Sequence, residues 1–278
     1  MKQLIASLSM ALAALSAGAS NLTVIKIWDD GEMPYSNEVT SPEQIDDKGG
    51  ITNVSEPTLT IYTPVNFGIR KEANAGIAVM SCPGGAYRFE SPNASHDLAD
   101  WYNAQGITFA VLKYRLPNGG HYEATMADGM QAMKKMREFA AENGISAVGI
   151  MGASAGGHLA SFIATRFTDS ITRPDFQILF YPVISMKDGL THKGSKFNLL
   201  GNNPSDDLVK LFSNEYHVGP DTPPAIIIGC YDDKVVPIKN SLDYFSALSA
   251  NNVQASLLIY PQGDHGWGHI HNIRYRDR

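Results

Sequence analysis

Short apolar segments recur along the chain from residue 58 onward, and most of them are followed closely by a proline or a glycine. In Thr58–Thr63 apolar and polar residues alternate, which predicts a strand in an antiparallel pair. The later segments are apolar without alternation, as expected of parallel strands that helices cover on both faces. These segments are residues 76–81, 108–114, 147–151, 176–181, 225–229 and 255–260.

Helical patterns lie between these predicted strands. From Tyr122 to Asn143, methionines and Phe139 recur at spacings of three and four residues, which places them on one face of a helix. We interpret this stripe as core packing, because methionine commonly fills protein cores. Residues 155–167 and 238–250 are the other strong helix predictions. The alternation predicts an α/β fold with a mostly parallel central sheet and helices on both faces.

The organisation along the chain follows from this pattern. The 278 residues suit one domain with a sizeable core. We assign residues 58–278 to the α/β domain. Residues 20–57 are polar and rich in Asn, Asp, Glu, Gly and Pro, and we predict an irregular lead-in there. In sheets of this type ligands bind beyond the carboxyl ends of the strands, so functional residues are sought where strands end.

The first residues have the features of an export signal. Lys2 supplies a positive start, residues 4–15 are apolar apart from two serines, and Ala17-Gly18-Ala19 fits a cleavage pattern of small residues. We predict a signal peptide over residues 1–19 and a mature protein that is secreted or periplasmic, with no membrane association after cleavage. The alternative is a buried N-terminal helix, which these three features do not favour.

Charge and cysteine content narrow the function classes. The net charge is −6 and there is no basic run, which argues against nucleic-acid binding. Export permits a disulfide, but Cys82 and Cys230 end strands that we place apart in the sheet, so we predict two buried, unpaired thiols. The histidines show no regular ligand spacing and no dinucleotide-binding glycine pattern follows the first strand. No metal or other cofactor is implied.

The clearest chemical signal is Gly152-Ala153-Ser154-Ala155-Gly156, between a predicted strand and a predicted helix. This is the G-x-S-x-G pattern of a nucleophilic serine on a sharp strand-to-helix turn, where small neighbours avoid clashes. The N-terminus of the following helix favours negative charge beside the serine. The alternative is a chance match in a loop, which the strand and helix on either side do not favour.

A nucleophilic serine requires a histidine base and a carboxylate that orients it. His265 follows the last predicted strand between Gly263 and Gly266, which suits a loop that presents the ring to Ser154. The alternative is a surface histidine. In this fold the acid stands between the serine and the histidine in chain order. Asp232 and Asp233 both follow the strand at 225–229, and the residues alone leave both open.

Backbone amides are needed to stabilise the oxyanion that forms when a serine attacks an ester. One amide is expected from Ala155, which follows the nucleophile. Another is expected from the loop after an earlier strand, and C-P-G-G-A-Y at 82–87 is in that position. The alternative is an ordinary Pro-Gly-Gly turn.

Taken together, these motifs resemble the carbohydrate-esterase-like branch of the secreted α/β-hydrolases, the group around bacterial acetyl-xylan and feruloyl esterases. The resemblance extends from about residue 57 to about residue 270. The matching segments are C-P-G-G-A-Y at 82–87, L-K-Y-R-L-P at 112–117, M-G-A-S-A-G-G-H-L-A at 151–160, F-Y-P-V-I at 180–184, T-P-P at 222–224, D-D-K-V-V-P at 232–237 and G-D-H-G-W-G at 263–268.

The resemblance implies a residue for each part of a catalytic triad. Ser154 corresponds to the nucleophile and His265 to the base. The acid of this family stands four residues before the proline of a D-x-x-V-P motif. That proline is Pro237 here, so the resemblance favours Asp233 as the acid.

The resemblance also assigns the oxyanion hole. Its amides correspond to Gly85, Ala86 and Ala155, with Ala86 in the place of the usual third glycine. His158 and Arg115 match the family as well, and we interpret both as structural residues.

The function that follows is a secreted serine esterase that hydrolyses short acyl esters, above all acetyl esters, on plant cell-wall carbohydrate such as xylan. The expected partner is therefore an acylated carbohydrate. A feruloyl esterase and a general short-chain carboxylesterase are the nearest alternatives. A peptidase is less favoured, because the chain has no room for the extra domain that such enzymes carry. A non-catalytic binding protein is also less favoured, because no triad residue is missing.

Two further features bear on the substrate. Tyr87 follows the predicted oxyanion loop and Trp267 lies close after His265, so we predict that both rings bind substrate by stacking on a sugar. Packing at the sheet edge is the alternative for both. After Tyr181, where this fold often carries a lid, we predict about twenty polar residues before the next helix, and therefore no large apolar cap for a lipid chain.

Overall fold

The computed structural model of the chain describes residues 21–64 and 75–266. Its strands are β1 (Asn21–Lys26), β2 (Gln44–Ile45), β3 (Ile51–Thr52), β4 (Thr58–Thr63), β5 (Ile77–Cys82), β6 (Thr108–Lys113), β7 (Ala147–Ala153), β8 (Gln177–Phe180), β9 (Ala225–Cys230) and β10 (Ala255–Tyr260). Its α-helices are α1 (Asn93–Ala104), α2 (Tyr122–Glu142), α3 (Ala155–Arg166), α4 (Lys193–Leu200), α5 (Asp206–Leu211) and α6 (Lys239–Ala250).

Most of the strands form one sheet, in the order β1-β4-β6-β5-β7-β8-β9-β10. Strand β4 pairs antiparallel with β1 and with β6. From β6 to β10 every neighbouring pair is parallel. The mostly parallel sheet of the sequence prediction is therefore confirmed.

Two separate groups of buried residues cover the two faces of this sheet. Along β5, Ala78 and Met80 belong to one group and Val79 to the other, because successive side chains of a strand point to opposite faces. The larger group takes in residues of α2, α3 and α6, and the smaller group takes in residues of α1. Met133 and Met136 of α2 are fully buried in the larger group, which confirms that the methionine stripe packs in the core.

The segment from 20 to 57 is more ordered than its composition suggests. Asn21–Lys26 forms β1, at the edge of the main sheet. Ile27 and Val54 are fully buried. The prediction of an irregular lead-in is therefore wrong for Asn21–Lys26. All residues of β1 but Ile25 are exposed, and backbone pairing with β4 holds the strand in place.

The segment after Tyr181 is shorter and less polar than the roughly twenty polar residues that we predicted before the next helix, because α4 begins at Lys193. The whole connection between β8 and β9 contains α4, α5 and a 3₁₀ turn at Asn214–Tyr216. Val183, Ile184 and Met186 are fully buried within the main core, although polar residues follow them in the sequence. This insertion packs against the rest of the molecule and contributes to the cavity described below.

The two cysteines do not form a disulfide. Cys82 and Cys230 are buried and unpaired, as predicted. They end β5 and β9, which β7 and β8 separate in the sheet. The predicted signal peptide, residues 1–19, lies outside the described residues. Among the described helices, none combines the length and the apolar character that crossing a membrane requires.

Candidate active site

Ser154 lies on a sharp turn between β7 and α3. Its backbone has φ 55° and ψ −121°, and a positive φ of this kind is uncommon for a non-glycine residue. A Cβ atom on Gly152 would overlap the carbonyl oxygen of Gly156, and one on Gly156 would overlap the carbonyl oxygen of Cys82. Both glycines of the G-x-S-x-G motif are therefore required by close contacts between backbone segments.

The strained turn is fixed by hydrogen bonds to β8 and to the segment that follows it. The amide of Ser154 donates to the carbonyl oxygen of Phe180 at 3.0 Å, and its carbonyl oxygen accepts from the amide of Val183 at 3.0 Å. Such contacts offset the cost of an unfavourable backbone conformation. They hold the serine at the carboxyl end of β7, where ligands bind in this class of fold.

His265 reaches Ser154 from the loop after β10. Its Nε2 lies 2.9 Å from Ser154 Oγ, and its Nδ1 lies 2.8 Å from Asp233 Oδ2. An ionised carboxylate only accepts hydrogen bonds, so Nδ1 carries the proton of the neutral ring and Nε2 accepts from the serine hydroxyl. The structure thus brings Ser154, His265 and Asp233 together in the arrangement that a nucleophilic serine requires.

The carboxylate of Asp233 is buried and firmly oriented. Its side chain is 1% exposed. Its Oδ1 accepts from the amides of Val235 and Val236, each at 2.8 Å. These two bonds fix the carboxylate so that Oδ2 is left for His265.

The neighbouring Asp232 contacts the loop of His265 rather than its ring. Its Oδ1 accepts from the amide of Asp264 at 2.8 Å. Asp264 in turn accepts from the amide of Lys234 at 3.3 Å. The His265 amide beside the Asp264 carboxylate lowers the pKa of that carboxyl. Of the two acids that the residues left open, Asp233 contacts the histidine ring and Asp232 anchors its loop.

The loop after β5 passes directly beside the serine. A Cβ atom on Gly84 would lie 2.8 Å from the carbonyl oxygen of Ala153 and 3.2 Å from Cβ of Ser154. Only glycine allows this approach. The next two residues, Gly85 and Ala86, have φ 133° and 56°.

Hydrogen bonds hold the carbonyl groups of this loop and leave its amides available. The carbonyl oxygen of Gly85 accepts from the amide of Arg88 at 3.0 Å, and that of Ala86 accepts from Asn198 Nδ2 at 2.8 Å. Among the hydrogen bonds between described residues, none is donated by the amides of Gly85, Ala86 or Ala155. These amides are therefore available to donate to an oxyanion.

Tyr87 does not face the site. Its side chain is 1% exposed, its hydroxyl lies 2.8 Å from His158 Nδ1, and its ring packs edge-on against Tyr114. The backbone at Tyr87 has φ 59° and directs the ring into the core. The prediction that Tyr87 stacks on a substrate is therefore wrong. Trp267, the other predicted ring, lies outside the described residues.

His158 is a buried structural histidine, as interpreted from the sequence. Its Nε2 donates to the carbonyl oxygen of Phe212 at 2.7 Å, so its Nδ1 accepts from the Tyr87 hydroxyl. Burial lowers the pKa of His158 to about 3, and the ring is neutral. Arg115 is structural as well, since it forms a buried ion pair with Asp128 at 2.7 Å.

Glu90 is a buried acid behind the loop that follows β5, and the sequence did not predict its position there. Its Oε1 accepts from the amide of Tyr114 at 2.5 Å, and its backbone pairs with Ile51. Burial raises the pKa of Glu90 well above its usual range. Tyr114 also donates from its hydroxyl to the carbonyl oxygen of Pro83 at 2.8 Å. No motif marks Glu90, because its role depends on contacts with distant segments.

A cavity of about 270 Å³ opens at Ser154 and His265. Phe89, Tyr181 and His192 contribute to its walls, and the Tyr181 ring meets the His265 ring edge-on at 4.8 Å between centroids. No motif marked these three residues as parts of a site. Across residues 21–64 and 75–266, no three His, Cys, Asp or Glu side chains are grouped in a way that could hold a metal ion.

Comparison with known proteins places this geometry in a family. The family model described as an alpha/beta hydrolase fold matches residues 79–269, more than half of the chain. The chain belongs to the α/β-hydrolase family. The matched range of this α/β-hydrolase includes every residue that lines the cavity.

Similar proteins include an acetylxylan esterase from Xylanibacter ruminicola, 41% identical over 214 residues, which are 74% of this α/β-hydrolase and 44% of the relative. Another is an endo-1,4-beta-xylanase B from Butyrivibrio fibrisolvens, 31% identical over 203 residues, or 68% and 32% of the two chains. The chain thus spans less than half the length of these curated relatives.

A solved structure supports the same likeness over nearly the whole chain. An acetyl ester-xyloside bifunctional hydrolase from Caldicellulosiruptor lactoaceticus is 30% identical, with a TM-score of 0.74. The match covers 91% of this α/β-hydrolase and 90% of the other chain.

Proposed function

We propose that this α/β-hydrolase is a serine carboxylic-ester hydrolase. Ser154 is the nucleophile, His265 transfers the proton, and Asp233 orients the histidine. The observation that carries the proposal is the hydrogen-bonded series from Asp233 Oδ2 through His265 to Ser154 Oγ, with distances of 2.8 and 2.9 Å. No other described histidine contacts a serine on a strained turn after a strand.

In the acylation step, Ser154 Oγ bonds to the carbonyl carbon of the ester while its proton passes to His265 Nε2. The carbonyl oxygen becomes an oxyanion, which the amides of Gly85, Ala86 and Ala155 stabilise. The bond to the alcohol oxygen then breaks, and His265 returns the proton to that oxygen. Water attacks the acyl-enzyme by the same route, which releases the acid and restores the serine.

The substrate of this proposal is a short acyl ester, acetyl above all, on a plant cell-wall carbohydrate such as xylan. The size of the cavity supports a small acyl group, since about 270 Å³ lies just below the usual range of small-molecule sites. The two relatives named for acetyl esters, an acetylxylan esterase and an acetyl ester-xyloside hydrolase, support the same choice.

A second cleft beside the cavity supports a polymeric substrate. Its volume is about 600 Å³, and it shares Phe89 and Ser91 with the cavity. Asp46, Lys48 and Arg88 also line it. A cleft that adjoins the site of the reacting ester can hold neighbouring sugars of the chain.

Export belongs to the same proposal. A cell-wall polysaccharide is met outside the cytoplasm, and the first residues have the pattern of a cleaved signal. N-terminal sequencing of the protein from the medium or the periplasm is expected to begin near residue 20. A protein that keeps Met1 and stays in the cytoplasm would contradict this part of the proposal.

The proposed substrate is tested with 4-nitrophenyl esters of increasing acyl length and with acetylated xylan. We expect the highest kcat/KM with acetyl, a steep fall beyond about four carbons, and release of acetate from xylan. Ser154→Ala is the control for background hydrolysis. A preference for acyl chains of eight carbons or more, with no acetate from xylan, would overturn the proposed substrate.

A further inference from the structure

His192 is a second histidine on the wall of the cavity. It lies in the insertion between β8 and β9, immediately before α4, and it lines the same space as Ser154 and His265. The triad does not use it. Its ring passes over Gly194, where a Cβ atom would lie 3.0 Å from the ring's Cε1.

One nitrogen of this ring is committed to the helix. The Nδ1 of His192 accepts from the amide of Ser195 at 3.3 Å, as the N-cap of α4, and lies 2.9 Å from the Ser195 hydroxyl. If Nδ1 carried a proton, its N–H group would point at the N–H group of Ser195, and the two donors would repel each other. The neutral ring therefore carries its proton on Nε2, which is a hydrogen-bond donor.

The other nitrogen has no acceptor within the described parts of the chain, since every hydrogen bond of the His192 side chain there involves Nδ1. Burial lowers the pKa of His192, and the nearby His265 lowers it further. The ring is thus a neutral donor beside the reacting atoms. Because His192 lines the cavity, this N–H group is available to a ligand that supplies an acceptor.

The chemistry of the ester indicates which part of the substrate supplies that acceptor. An acetyl group offers only its carbonyl oxygen, and the amides of Gly85, Ala86 and Ala155 are available for that atom. Further acceptors exist only on the alcohol side, and a sugar carries several hydroxyl and ether oxygens.

We propose that His192 selects carbohydrate esters by donating a hydrogen bond from Nε2 to an oxygen of the sugar that carries the acyl group. This inference rests on the proposed esterase function and assigns the recognition of the alcohol to a residue outside the triad. A site built to donate to a substrate hydroxyl discriminates strongly against esters that lack one.

Two substitutions of His192 test the roles of the two ring nitrogens separately. In His192→Asn the short amide oxygen replaces Nδ1 as an N-cap acceptor, since asparagine is a favourable N-cap, but no donor remains at the position of Nε2. In His192→Gln the longer amide carries an N–H group near the position of Nε2 and the cap is lost. His217→Gln is a matched control, because His217 lies in the same insertion and binds Lys210 instead of lining the cavity.

The experiment compares kcat/KM for acetylated xylotriose with kcat/KM for 4-nitrophenyl acetate, which has no sugar hydroxyl. For His192→Asn we expect kcat/KM for acetylated xylotriose to fall roughly ten-fold, mainly through KM, which is the effect of one hydrogen bond of ordinary strength. The value for 4-nitrophenyl acetate should stay within about two-fold of the wild type. His192→Gln should keep most of the preference for the sugar ester despite a lower Tm, and His217→Gln should keep all of it.

Two results would overturn the inference. Equal losses on both esters in His192→Asn would mean that the residue only supports the geometry of the triad. No loss on either ester in that variant would mean that Nε2 does not meet the sugar. The proposed function fails in a different way, because the wild-type protein would then hydrolyse neither ester.

Discussion

The serine side and the histidine side of the cavity are held by different kinds of contact. On the serine side, backbone segments approach so closely that Gly84, Gly152 and Gly156 leave no room for a side chain. On the histidine side, carboxylates accept hydrogen bonds from loop amides, with Asp233 bound to its own turn and Asp232 to the loop of His265.

This difference predicts different responses to substitution. Close packing of buried backbone is part of the fold, so changes on the serine side should reduce stability as well as activity. The hydrogen bonds on the histidine side orient a few atoms in two surface loops. Changes there should reduce turnover and leave the fold nearly intact.

The largest expected effect is that of Ser154→Ala, because the serine oxygen is the atom on which both sides act. We expect kcat for 4-nitrophenyl acetate to fall by at least about 10⁴-fold. The Tm should stay close to that of the wild type, since alanine keeps Cβ and removes only the hydroxyl oxygen. A folded variant with near-normal turnover would exclude Ser154 as the nucleophile.

On the histidine side, Asp233→Asn is expected to lower kcat on the order of 10³- to 10⁴-fold, because an amide can bind the wrong tautomer of His265. Asp232→Asn is the matched control. Its amide oxygen can still accept from Asp264, so we expect a loss of less than about ten-fold. If Asp232→Asn were the more damaging change, the assignment of the acid would be wrong. Circular dichroism should show both variants folded.

On the serine side, Gly156→Ala should lower the free energy of unfolding by at least about 3 kcal/mol, since the new methyl group would overlap backbone atoms of Cys82 and Pro83. Gly219→Ala is the control, because nothing lies within 4 Å of the place that its new methyl group would take. That change should stay within about 0.5 kcal/mol. Urea denaturation measures both, and equal effects would contradict the contrast between packed and open glycines.

The sequence predicted the serine side well because its signal is local. A turn that excludes side chains requires small residues at fixed spacing, and Gly152 and Gly156 show that requirement directly. The α2 helix was predicted for the same reason, since one apolar face repeats along it. The choice between Asp232 and Asp233 was different, because both follow the same strand and only the path of the loop decides which carboxylate meets the ring.

The errors have a common physical origin in long-range contacts. Tyr87 was expected in the site, but its backbone conformation and the hydroxyl contact with His158 take the ring into the core. Strand β1 was missed because an exposed edge strand depends on its neighbour. His192 was not singled out because the N-cap geometry of α4, rather than a motif, brings it to the cavity.

The smallest expected effect concerns His158, which lies one helical turn after the serine and does not take part in the proton transfer. Its pKa is about 3 in the folded protein, against an ordinary value of 6.5. Between these values the unfolded chain binds more protons than the folded protein. The contribution of His158 to the free energy of unfolding is therefore fully present above pH 6.5 and is lost as the pH falls toward 3. At pH 5 we expect this residue to reduce the free energy of unfolding by about 2 kcal/mol relative to pH 7.5.

Urea denaturation of the wild type and of His158→Asn at both pH values isolates this contribution, because asparagine keeps a donor and an acceptor but does not titrate. The variant should lose about 2 kcal/mol less between the two pH values, and an equal loss in both proteins would mean that His158 is not buried in its neutral form.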